Sequence, residues 1–244
     1  MRNALWALAI LLVVVAGAAF WAYESLDVIV KLALEHYGPQ VTGVSVEVGE
    51  VHLSPGDGRG SVRRLDIGSP AGFSSPRAAR LGEISVWVDP ATVREPVVVI
   101  HEIVIDSASI AYERSDKGTN LEAIQKRIDA YVRQAQASSG GGDNRKPSGA
   151  EVRHRFVVEH LAIRNAKVTM TNPGLKGQGV TFDLPDIEMR DIGKRAGGST
   201  ASEIAQAVSG TVVSRIAQSL LTNLDLLRKG GVGGAIDALK GLVH

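Results

Sequence analysis

The 244-residue chain contains no cysteine. A disulfide framework, thiol catalysis and zinc held by thiolates are therefore excluded. Net charge is nearly absent as well. Its 27 basic and 26 acidic residues leave +1, so there is no electrostatic case for a nucleic-acid partner. Catalytic signatures are missing too. His101-Glu102 opens like a zinc-protease motif, but Ile105 stands where the second histidine would be, and the segment reads as a strand rather than the helix that motif requires. His52, His101, His154 and His160 are scattered along expected strands without ligand spacing, and are expected to face solvent. No nucleophile elbow is present. Gly174-Leu175-Lys176-Gly177-Gln178-Gly179 lacks the spacing of a phosphate-cradling loop and reads as a hairpin connection. Arg63-Arg64 reads as a solvated strand edge. The expectation is a protein that is not an enzyme and carries no metal or cofactor.

One apolar run is long. Leu5 to Tyr23 carries no charge, enough to cross a ~30 Å hydrocarbon core as a helix. Arg2 precedes it, while Glu24 and Asp27 follow. Positive charge stays on the cytoplasmic side, so the body is expected outside the cytoplasm. Leu5, Trp6, Leu12, Val15, Phe20 and Trp21 are the expected anchor residues, with aromatics near both ends. Ala16-Gly17-Ala18 has the form a signal peptidase reads, so a cleaved signal is the alternative, and either reading exports the body.

Past the run, Leu26 to Leu34 keeps helical spacing until Gly38-Pro39, which is expected to end a helix lying on the bilayer or on the sheet. Strands then dominate. Val44-Val46-Val48 shifts to Val51-Leu53, which suggests a bulge at Gly49. Further strands are expected through Val62–Ile67, Ile84–Val88, Val180–Leu184 and Ile187–Met189. The most informative pattern occurs twice. Ile100-His101-Glu102-Ile103-Val104-Ile105-Asp106-Ser107-Ala108-Ser109-Ile110-Ala111-Tyr112 returns 58 residues later as Val158 to Met170. In both copies the alternation of apolar and polar residues breaks at a polar step, Asp-Ser or Arg-Asn, then resumes after Ala. The reading is strand, tight turn or bulge, strand, and hence a sheet grown by adding similar hairpins. Thr119-Asn120-Leu121-Glu122 and Thr200-Ala201-Ser202-Glu203 have capping-box spacing. The second opens a stripe of Ile204, Val208, Val212, Ile216, Leu220, Leu224 and Leu227, expected to pack on the sheet, with contact to lipid the less common case.

These patterns carry a resemblance. Gly60-Ser61-Val62, then Leu65-Asp66-Ile67-Gly68-Ser69-Pro70-Ala71-Gly72-Phe73, and Leu81-Gly82-Glu83-Ile84-Ser85-Val86-Trp87-Val88-Asp89-Pro90 resemble the N-terminal region of AsmA-like proteins. Ile103-Val104-Ile105-Asp106, Ile110-Ala111-Tyr112-Glu113 and Asn120-Leu121 extend the likeness, as does the single N-terminal anchor. It covers most of residues 1 to about 125, and more loosely 156–193. The resemblance implies a Gram-negative inner-membrane protein, single-pass, with its body in the periplasm. It also implies a curved antiparallel sheet related to bridge-like lipid-transfer proteins, and a role in phospholipid traffic or outer-membrane maintenance. It supplies no catalytic residues. Bridging members are several times longer, so a shuttle, an adaptor or an oligomeric unit suits this length better.

The expected fold is thus α+β: a transmembrane helix, a curved antiparallel sheet of repeated hairpins, amphipathic helices packed on it, and a long C-terminal helix. The expected organisation is an anchor over 1–25, a first sheet half over 26–137 with its helix at 119–137, and a flexible linker over 138–150. A second sheet half over 151–193 and a C-terminal helix and tail over 194–244 complete it. Acyl chains are expected against Ile84, Val86, Val88, Ile103, Ile105, Ile163 and Val168. The expected partners are membrane lipid and the inner membrane, with another cell-envelope protein as the alternative.

Overall fold

The computed structural model describes residues 26–116, 118–140, 155–171 and 179–229. The expected anchor, most of the linker, His154, all of the glycine-rich connection but Gly179, and the tail beyond 229 lie outside them. Among the described residues, no helix is long and apolar enough to cross a membrane.

Over the described residues the chain is α+β, with one nine-stranded open sheet and three α-helices. Helix α1 covers 26–42. Strands β1 (Val46–Ser54), β2 (Arg59–Gly68), β3 (Arg77–Val88) and β4 (Val97–Ser115) follow as an antiparallel meander. After the short β5 (Gly118–Thr119) comes α2 (Asn120–Gly140). Then β6 (Arg155–Arg164) and β7 (Ala166–Thr171) lie parallel to the two halves of β4. Strands β8 (Val180–Leu184) and β9 (Ile187–Ile192) return antiparallel to them, and α3 (Ala201–Lys229) closes the described fold. The sheet expected to be antiparallel is therefore mixed. The reason is α2: a helix between β4 and β6 brings the chain back to the end where β4 began, so the next strand runs in the same direction.

The repeated unit also differs from expectation. Its copies are not hairpins but kinked paths that continue in one direction side by side, β4 in the first and β6 followed by β7 in the second, and their 58-residue offset is the parallel register itself. Ile100 faces Val158, Ile103 faces Leu161, Ile105 faces Ile163 and Ile110 faces Val168. The polar step is a kink: Ser107 and Asn165 have φ of 57° and 53°. One left-handed residue bends a strand, whereas the tight two-residue turn type I′ needs two.

That kink crosses five strands. Core-facing residues on either side of it are Val48 and Val51, Val62 and Leu65, Leu81 and Ile84, Ile105 and Ala108, and Ile163 and Ala166. In each strand two successive residues, not one, turn away between them: Gly49-Glu50, Arg63-Arg64, Gly82-Glu83, Asp106-Ser107 and Arg164-Asn165. Side-chain parity inverts along the whole line, so the apolar face continues through it. The bulge expected at Gly49 does not form: Val48 faces Leu65, Glu50 faces Arg63 and Val51 faces Val62 without a register shift, and the parity break there belongs to this crease. Arg64 also has left-handed φ, 55°, and that explains the neighbouring glycine. A Cβ on Gly49 would lie 2.9 Å from both the Arg63 carbonyl and the Arg64 Cβ. Gly82 stands against Ser107 in the same way, its added Cβ 3.0 Å from the Ser107 Cβ.

Both capping boxes form. Thr119 N donates to Glu122 Oε2 (3.1 Å) while Glu122 N donates to Thr119 Oγ1 (3.2 Å). Thr200 and Glu203 exchange the same bonds at 2.9 and 3.2 Å. Helix α1 runs past Gly38-Pro39, contrary to expectation, because Pro39 costs only one donor and Thr42 Oγ1 bonds the Gly38 carbonyl at 2.8 Å. The helix ends at Gly43, whose φ of 72° suits a helix-terminating glycine.

Candidate functional site: an apolar face with one open corner

Register places the core-facing residues in rows that cross the strands. On one side of the crease runs Val51–Val62–Ile84–Ile105–Ile163–Ile187, each paired with the next. Beside it runs Gly60–Val86–Ile103–Leu161–Met189. Five strand spacings of ~4.8 Å make the longer row ~24 Å.

Helices cover only part of this face. The stripe Ile204, Val208, Val212 and Leu220 packs against the central core and Ile216 is fully buried there, which gives α3 the expected sheet-packing role over its described side chains. Helix α2 places Ile124, Ile128 and Val132 against Ala78 and Val44, at the far end of β3 and the turn before β1. Gln206 Nε2 to Asp129 Oδ1 (2.8 Å) and Gln136 Nε2 to Glu203 Oε1 (3.1 Å) tie α2 to α3. The expected acyl-contact residues accordingly divide. Ile163 (4% exposed) and Val168 (0%) are buried core, in the cluster that α3 covers. Ile84, Val86, Val88, Ile103 and Ile105 remain half-buried, as do Val51 and Val62 beside them. The open corner is the β1–β4 end of the two rows.

Three polar arrangements fix the surrounding elements, the first at the corner and the other two at the far end of β4. First, the free edge of β1 is occupied by α1. Leu53 N donates to Asp27 Oδ1 (3.0 Å), Val48 N to Glu35 Oε1 (3.0 Å), and Lys31 Nζ to the Gly49 carbonyl (3.1 Å). Edge pairing with another strand is thereby blocked at those positions. Second, fully buried Asn120 couples the end of β4 to the start of α2. Its Oδ1 accepts from Glu113 N and Leu121 N, both 3.0 Å, and its Nδ2 donates to the Ala111 carbonyl at 2.7 Å. Third, buried Glu113 accepts from Ser74 N (2.6 Å) and Ser75 N (2.8 Å), holding the β2–β3 loop. Burial opposes ionisation of Glu113, but those amides outweigh it and its carboxyl titrates below the usual glutamate range.

The opposite face is polar and paired. Arg64 Nη2 lies 2.7 Å from Glu50 Oε1 and Arg63 Nη2 3.3 Å from Glu83 Oε1. The basic pair is solvated as expected, but β2 is an inner strand rather than an edge. A second double step occurs at 101–102 and 159–160, between core residues Ile100 and Ile103 and between Val158 and Leu161. There His101 Nδ1 meets Glu159 Oε2 at 2.7 Å and His160 Nδ1 meets Glu102 Oε1 at 3.3 Å. His52 faces solvent as expected, its side chain 81% exposed, but His101 (32%) and His160 (19%) are held in cross-strand pairs. Trp87 packs against His101 with ring centroids 4.7 Å apart and planes tilted by 53°, and Arg59 lies 4.8 Å over Trp87. The expectation that these histidines face solvent did not include such pairs. The 58-residue offset, read as a parallel register, places His101 beside Glu159 and Glu102 beside His160.

Among the described residues, no group of three or more histidine, aspartate or glutamate side chains is placed to hold a metal ion. No protein-family model and no curated protein matches the chain.

Proposed function

We propose that this chain is an AsmA-like protein anchored in the inner membrane by residues 5–23, with its body in the periplasm, that handles phospholipid for outer-membrane homeostasis. In this reading the sheet is curved and its open corner takes acyl chains. The carrying observation is that Val62, Ile84, Val86, Ile103 and Ile105 are cross-strand neighbours, all apolar and none fully buried. Methylene burial is worth about 0.8 kcal/mol each, so an acyl chain laid along the rows needs no specific polar contact. A row crossing six strands, ~24 Å, is too short to bridge an envelope, and the reading is of a shuttle or of one unit in a larger path.

A second reading, an adaptor whose corner is covered by another envelope protein, draws on the burial of Ile163, which shortens the open row, and of Val168 beyond the crease. Native mass spectrometry of the full chain, extracted from membranes in mild detergent, separates the two. Phospholipid retained at fixed stoichiometry supports lipid handling. A lipid-free protein that crosslinks through positions 84–105 to one envelope protein selects the adaptor.

A further inference from the structure

Helix α1 has two working faces. Asp27, Lys31 and Glu35 bond the β1 edge, Leu34 joins the β1–β2 cluster, and Gly38 fits against Val46 so closely that an added Cβ would sit 2.9 Å from its side chain. At 100° per residue these positions share one side of the helix. Val28, Leu32 and Ile29 lie roughly 75°, 115° and 175° from its centre, and are 57%, 59% and 56% exposed. Such large apolar side chains at successive turns form a stripe rather than isolated exposures. Only Glu24 and Ser25 separate the stripe's helix from the apolar run ending at Tyr23. Three peptide steps reach at most ~11 Å, so whatever holds Tyr23 holds the start of α1 beside it.

From this we infer that α1 lies flat in the lipid headgroup region, with Val28, Ile29 and Leu32 facing the acyl boundary and the β1 edge on its other side. The partner is the bilayer surface itself. The inference rests on the anchor proposed above and adds an orientation to it. Residues 27, 31 and 35 meet 53, 49 and 48 respectively, so α1 runs antiparallel to β1. Strand β1 then lies along the membrane plane, one helix diameter (~10 Å) from it, and β2, β3 and β4 stack away from the surface. The apolar row begins at Val51, on the membrane-proximal strand, and climbs outward.

The chain has no cysteine, so single cysteines can be introduced without background. The variants are V28C, I29C and L32C, with Y37C as control: Tyr37 is 57% exposed but off the stripe. Each full-length protein, labelled with an environment-sensitive fluorophore, is reconstituted into phosphatidylethanolamine–phosphatidylglycerol vesicles. The expected result is a blue-shifted emission at 28, 29 and 32, quenched severalfold by lipids spin-labelled near the headgroup, with Y37C unchanged. Vesicle flotation with water-like emission at all four sites overturns the inference and leaves the anchor standing. Failure to float overturns both. Circular dichroism of each variant guards against misfolding, and all three test positions are more than half exposed.

Discussion

Val86 and Val168 allow one substitution to be read in two environments. Both are valines on the apolar face of the same sheet, but Val86 is half-exposed and outside every buried cluster, whereas Val168 is 0% exposed in the cluster covered by α3. Val86→Asp loses the partial burial of one valine, about 1 kcal/mol, and its carboxylate can still reach water. Val168→Asp loses the full burial, about 1.5–3 kcal/mol, and adds several kcal/mol for an unpaired buried charge. That total rivals the ~5–15 kcal/mol stability of a typical domain. Urea denaturation of the full chain in mild detergent should therefore show Val86→Asp folded with a slightly lowered midpoint, and Val168→Asp unfolded or nearly so. Native mass spectrometry should show Val86→Asp stripped of phospholipid. If Val86→Asp unfolds the chain, the corner is ordinary core. If it folds and keeps its lipid, the rows do not form the binding surface.

Other outcomes follow from the polar arrangements. Asn120→Ala should cost about 3 kcal/mol, since the Ala111 carbonyl and the Glu113 amide each lose a buried partner worth ~1–3 kcal/mol; a cost under ~1 kcal/mol by denaturation would mean water replaces the side chain. Glu113 titrates below its ordinary range in the folded state, so its stabilising effect is complete above the unfolded glutamate pKa. That effect fades as pH falls through the folded value. The protection factors of the Ser74 and Ser75 amides, taken against their intrinsic exchange rates at each pH, should fall on acidification, and Glu113→Gln should lower them already at neutral pH. Gly49→Ala should destabilise by about 1–3 kcal/mol through overpacking against Arg63 and Arg64, whereas Gly72→Ala, where nothing lies within 4 Å, should cost only its left-handed φ, about 1 kcal/mol. Equal effects would remove the close packing at the crease as the reason for Gly49.

Much of the local structure was legible in the sequence because local forces write it there. Capping boxes at Thr119 and Thr200 formed as spaced, since their partners sit three residues apart whatever the surroundings. The α3 stripe, the strand interrupted at Pro185 and the parity break at Gly49 followed from periodicity, which records only which side of an element avoids water. The 58-residue repeat was equally visible, but its meaning was not. A parity break looks the same whether the chain folds back as a hairpin or kinks and continues, because both place two polar residues between apolar ones. The single left-handed residue at Ser107 and again at Asn165 decided for continuation. Likewise Gly38-Pro39 read as a stop, and the local hydrogen bond from Thr42 let the helix run to Gly43.

Pairing belongs to the tertiary structure. Whether β4 and β6 run parallel depends on where α2 returns the chain, a long-range fact that periodicity does not encode. Only that register brings His101 to Glu159, and only helix placement separates buried Val168 from half-exposed Val86. The sequence by itself determined which side chains share the apolar face. Packing decided which of them remain within reach of a ligand, because exposure depends on what covers a residue and not on the residue alone.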